Sequence, residues 1–139
     1  MTTYINKTSG VAGLITGKGV SRQLGKLLNV DLNITTDQII PIINASKYVV
    51  RSIVVTNASV NLSASLAAGG LYSASSKGGT AIVAAAQLYT ALTSASVASN
   101  LTIAVGAIAR TETSLFFSLT TANGSAATVD IYLFGDVLE

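Results

Sequence analysis

The chain has 139 residues, half of them hydrophobic, which is enough to bury one sizeable core without covalent staples. Only 10% of the residues are charged, against about 25% in ordinary domains, and the net charge of +2 is too small to argue for a nucleic-acid partner. With no Cys, His or Trp, the chain has no disulfide framework, no thiol nucleophile and no imidazole base or metal ligand.

Residues 1–33 are Gly-rich and carry Lys7, Lys18, Arg22 and Lys26 before the first acid, Asp31. Val20, Leu24, Leu27 and Leu28 have helical spacing, while Gly10, Gly13, Gly17, Gly19 and Gly25 oppose a long helix. This segment is expected to be an extended or partly helical arm that orders on a partner. Its first residues lack a charged stretch followed by a continuous apolar run, so no leader is expected.

From residue 34 to 139 the pattern predicts one all-β domain. Asp37-Gln-Ile-Ile-Pro-Ile-Ile43 contains the only proline, Pro41, and reads as an edge strand. Tyr48 to Thr56 is β-branched and apolar on both faces, as expected of a strand covered on both sides. Val60, Leu62, Ala64 and Leu66 alternate with polar residues and predict a half-buried strand over 59–66. A hairpin is expected from Gly70-Leu-Tyr-Ser through Lys77-Gly-Gly to Thr80-Ala-Ile-Val. Ala84 to Leu92 is Ala-rich and reads as one or two helical turns. Leu101, Ile103 and Val105 alternate again, predicting a strand over 99–105.

A second hairpin is expected near the C-terminus, joining 114–120 to 128–134 through Asn123-Gly124. Val129, Ile131 and Leu133 would face the core, and Asp130, Tyr132 and Phe134 the other side. Eight short strands predict an antiparallel β-sandwich of jelly-roll-like fold.

Catalytic chemistry is not legible. The carboxylates Asp31, Asp37, Glu112, Asp130, Asp136 and Glu139 form no close acid–base pair along the chain. A Ser-Lys arrangement at Ser75, Ser76 and Lys77 reads better as an exposed turn. Gly13-Leu-Ile-Thr-Gly-Lys-Gly-Val departs from a phosphate loop in its first Gly and in the residue after Lys. Neither a catalytic residue nor a cofactor is assigned. Ala81 to Ser99 is the nearest approach to a membrane span, but it is mostly Ala, Ser and Thr and is broken by Gln87.

The scarcity of charge carries more information. Between Ser52 and Ala109 the only charged residue is Lys77. A free monomer ordinarily keeps itself soluble with surface charge, so this surface is expected to pack against copies of the chain or a larger assembly. The expected interface residues are Phe116, Tyr132 and Phe134, with Leu24 and Leu27 from the arm.

Three runs carry a resemblance. They are Val55-Thr-Asn-Ala-Ser, Leu66-Ala-Ala-Gly-Gly-Leu-Tyr-Ser-Ala and Lys77-Gly-Gly-Thr-Ala-Ile-Val-Ala-Ala-Ala-Gln. With the ending from Leu115 to Asp136, they resemble small virion structural proteins of tailed phages and prophages, of the capsid decoration (cement) kind. The resemblance spans about residues 47 to 136 and implies a β-sandwich homo-oligomer, commonly a trimer. It implies a place on the outer capsid surface against the major capsid protein. A tail, neck or fibre component is the alternative within the virion. A carbohydrate-binding or adhesin module, built on Tyr132 beside Asp130, is the alternative of another class.

Overall fold

A computed structural model describes residues 21–138. Among them are eight strands and no helix: β1 (Arg22–Asp31), β2 (Gln38–Pro41), β3 (Tyr48–Thr56), β4 (Ala68–Ala74), β5 (Gly78–Val83), β6 (Ser99–Asn100), β7 (Ser114–Thr121) and β8 (Thr128–Val137). They form two four-stranded antiparallel sheets, ordered β1-β8-β3-β6 and β2-β7-β4-β5. The first strand pairs with the last, the second with the seventh, the third with the sixth and the fourth with the fifth. That nesting is a long hairpin rolled up on itself, the jelly-roll order. The facing sides of the sheets supply the core, from Leu24, Val30, Ile53, Val55, Val129, Ile131 and Leu133 to Ile40, Leu71, Val83, Leu115, Phe117 and Leu119.

Strand β1 corrects the arm. Residues 22–31 pair with β8 along their length, so the β domain begins well before residue 34. The helical spacing that hid this strand has a β explanation. Bulges interrupt the β1–β8 register between Gln23 and Gly25 and between Leu27 and Val30. Extra residues at a bulge shift which side chains face inward. Leu24, Leu27 and Val30 therefore all turn to the core at a spacing of three. Asn29 takes φ 55° at the second bulge, a conformation Asn tolerates better than most residues. The rest of the expected arm, residues 1–20, lies outside the described residues.

Four other expectations change. The strand expected over 99–105 is only the two-residue β6 (Ser99–Asn100), and the chain beyond it is irregular. Residues 59–66 form a loop. Asn57 ends β3 with φ 57°. Asn61 Oδ1 then accepts the N–H of Ser63, and Ser65 Oγ accepts that of Ala67. Such local side-chain bonds compete with a strand ladder. Of the four alternating apolar residues only Leu62 is buried, while Val60 and Leu66 are exposed. Residues 84–92 likewise form a loop of short turns, held inward by Tyr89, whose ring meets Phe117 edge-on at 5.9 Å. Finally, β7 and β8 are not a hairpin: they lie in different sheets, and 122–127 crosses between them. Gly124 has φ 90° but Asn123 is not in the positive-φ region, so the two-residue turn that Asn-Gly favours is not made.

The β4–β5 hairpin is as expected. Ser76 and Lys77 both have positive φ, and Gly78 N–H donates to Ser75 O at 3.0 Å, the geometry of a type I′ turn. Pro41 closes β2, which pairs through β7 alone. Gly25 has no alternative residue, because a Cβ there would stand 2.4 Å from Pro41 O where β1 passes β2.

Candidate interface surfaces

Most of the acidic groups, with Arg51, Arg110 and Lys77, are held in structural bonds. Asp130 is buried on β8, accepting Asn29 N–H at 2.8 Å and Asn57 Nδ2 at 2.9 Å. Asp31 accepts Asn33 N–H, and Asp37 accepts Ser76 N–H at 2.7 Å. Arg51 pairs with Asp136, and the buried Arg110 with Glu112 through both carboxylate oxygens at 2.8 and 3.1 Å. Lys77 Nζ donates to Thr35 O at 2.9 Å, so it is engaged with the β1–β2 loop and not with a neighbouring serine. Asp130 and Asp136 are six residues apart on one strand, or about 20 Å. No group of three or more acidic residues that could hold a metal occurs among the described residues.

The two strongest perturbations are also structural. Tyr48 is pushed up to about 12, first by burial and then by Glu112, against the lowering influence of Arg110; its hydroxyl donates to Glu112 O at 2.8 Å. Burial also raises Tyr89, whose hydroxyl donates to Gly69 O.

The expected interface residues are divided by the fold. Tyr132 and Phe134 alternate outward on β8, half-buried. Tyr132 stands in a cross-strand row with Lys26, Val54 and Asn100, and Phe134 between Gln23 and Ser52. Phe116 belongs to the other sheet, between Ile39 and Tyr72. Part of that outer side is roofed by the chain itself: Ser118, two residues from Phe116, is fully buried, and its Oγ donates to Thr35 O, which Lys77 also binds. Leu24 is fully buried and Leu27 packs against the core; neither is an arm residue, and Leu24 presents nothing to a partner. The carboxylate of Asp130 is consumed by two asparagines, which leaves Tyr132 without the acidic neighbour that a sugar site there would use.

A surface not anticipated lies at one end of the sandwich. The loops 32–37, 57–67, 84–98 and 122–127 meet there, bonded to one another. Asn123 N–H donates to Leu32 O, Asn57 N–H to Ala95 O, Leu62 N–H to Leu92 O and Gly124 N–H to Asn33 Oδ1. Across these four loops the only charged side chain is Asp37. They expose Leu66 (72%), Leu88 (52%), Val60 and Ile34, among many Ala, Ser and Thr residues. The paucity of charge between residues 52 and 109 signalled this end. Burying Val60 and Leu66 in a strand concealed which residues it presents.

A second feature lies on the β3 edge. Leu101 N–H donates to Ile53 O, and Tyr48 and Arg110 exchange two backbone bonds, but 102–109 arches away between these ties. Beneath the arch is a groove of about 170 Å³ lined by Val50, Arg51, Ile103, Val105 and Ala107.

No family model, no curated protein and no solved structure matches this chain.

Proposed function

We propose that this protein is a non-enzymatic structural subunit of a tailed-phage virion, a decoration or cement protein that stabilises the head by packing across capsomers. The observation that carries the reading is the charge-poor loop end. A monomer rarely leaves leucines such as Leu66 and Leu88 exposed within a charge-poor surface unless that surface has a partner. The carboxylates and cations described above serve internal ties, which suits a part whose work is mechanical. The resemblance of residues 47–136 to phage structural proteins supports the same assignment. So does the architecture, which serves viral shells as well as lectins, although a fold alone does not choose between those roles. On a capsid, many modest copies of one contact would add to a firm attachment.

The test uses phage heads assembled without the protein. Added protein should bind saturably at many copies over the shell, and light scattering should find the free protein self-associated. The double variant Leu66→Ser, Leu88→Ser should keep its melting temperature and lose attachment. A clean monomer at high concentration that leaves heads bare would overturn the proposal. Binding at only a few copies at one vertex would move it to the neck or tail.

A further inference from the structure

The Asn123-Gly124 pair does not make the hairpin turn it resembles, and its atoms are engaged in another way. Asn-Gly is the sequence most open to deamidation, because glycine's missing Cβ lets its amide nitrogen approach the asparagine side chain. It occurs once in this chain. Gly124 is solvent-exposed, and a Cβ built on it would meet nothing within 4 Å, so solvent exclusion gives the site no protection.

Hydrogen bonds do. Gly124 N–H, whose proton must leave before its nitrogen can attack, donates to Asn33 Oδ1 at 2.8 Å. Asn123 Nδ2 donates to Ser125 O at 3.0 Å and to Ser125 Oγ at 3.2 Å. Asn123 Oδ1 accepts the Ser65 hydroxyl at 2.5 Å, and Asn123 N–H donates to Leu32 O at 2.8 Å. The backbone and both ends of the carboxamide are therefore fixed by three different segments of the chain.

We propose that Asn123 is a fold-gated deamidation site, locked while the loop end is assembled and reactive when that end opens. In the open state Gly124 N gives up its proton to water or hydroxide and attacks Asn123 Cγ. The new C–N bond closes a succinimide, and the bond from Cγ to Nδ2 breaks, with Nδ2 leaving as ammonia. Water then opens the ring to Asp or isoAsp, with no oxidant or reductant involved. The product places a carboxylate on four loops whose only charged side chain is Asp37, and the isoAsp form lengthens the backbone, so opening once leaves a permanent mark. The chemistry does not depend on the virion reading.

The full-length protein is incubated in mildly alkaline buffer, folded or unfolded in urea, and conversion at Asn123 is followed by peptide mapping for the amide-to-acid mass gain and for isoaspartate. Conversion in the folded protein should be at least about tenfold slower, because it proceeds through local opening. Asn33→Ala should remove most of that protection, and Asn33→Asp, which keeps an acceptor for Gly124 N–H, should retain it. If Asn33→Ala does not fold, Ser65→Ala serves the same purpose. Hydrogen exchange should find the Gly124 amide protected. Equal rates in the folded and unfolded chain would overturn the proposal. So would an unprotected Gly124 amide, or folded variants that convert no faster than the parent.

Discussion

Two buried charged groups, one toward each end of the sandwich, are handled in opposite ways. Asp130, beneath the neutral loops, has two neutral donors, Asn29 N–H and Asn57 Nδ2. Arg110, at the other end, has a carboxylate, Glu112, gripped through two nitrogens, and its backbone exchanges two bonds with Tyr48. A buried carboxylate satisfied only by neutral donors depends on their geometry, and when a donor is lost its desolvation goes uncompensated. An ion pair whose acid is about one-third exposed can relax into water. The difference teaches that the uncharged end is held by shape and hydrogen bonds. It is the end that can present a neutral surface without loosening.

The largest break is to remove residues 22–31. Deleting β1 strips β8 of one partner and the core of Leu24 and Val30, and the far-UV β signal should be lost. A chain that kept that signal would show that β1 is dispensable to the neutral end and to the core alike. Next comes Asn57→Ala, which leaves the buried Asp130 carboxylate with Asn29 N–H but without its side-chain donor. Urea unfolding should show a loss of about 2–3 kcal/mol. Arg110→Ala should cost less, about 1–2 kcal/mol, because Glu112 can turn to solvent. If Arg110 proved the costlier of the two, the contrast between the ends would be reversed.

Alkaline pH should act on the Tyr48 end. The Tyr48 hydroxyl titrates near 10 in the unfolded chain and is raised to about 12 in the fold. Its contribution to stability is therefore whole below pH 10 and falls as pH rises from about 10 to 12, where the unfolded chain has already lost the proton. Tyr89 is raised for the same reason and adds in the same direction. Melting temperature measured across that window should drop, and Tyr48→Phe should flatten part of the drop. The smallest effect is expected from Arg51→Ala. The Arg51–Asp136 pair is half exposed on its arginine side, and its loss should cost less than about 1 kcal/mol and less still in high salt.

Much of the fold was legible from residue pattern alone. The runs expected as strands at 48–56, 114–120 and 128–134 are β3, β7 and β8, and Val129, Ile131 and Leu133 face inward as their alternation requires. The β4–β5 turn follows from Ser-Lys-Gly-Gly. The exposed surface was less legible, because exposure is a property of the assembled loops. Leu66 alternates like a core residue and is the most exposed large apolar side chain described, whereas Leu24 falls in the expected arm and is fully buried.

By itself, then, the sequence determined the fold class. Half-hydrophobic, β-branched and almost uncharged, this chain makes a β-sandwich, because composition and period-two alternation act locally. Only the tertiary structure decided the rest. Two bulges converted a helix-like spacing into strand β1. Asn and Ser side chains turned an alternating run into a loop. The pairing of first strand with last put β7 and β8 in different sheets and gathered four charge-poor loops at one end. Each depends on which distant segment supplies a hydrogen-bond partner, and that information exists only when the chain is closed on itself.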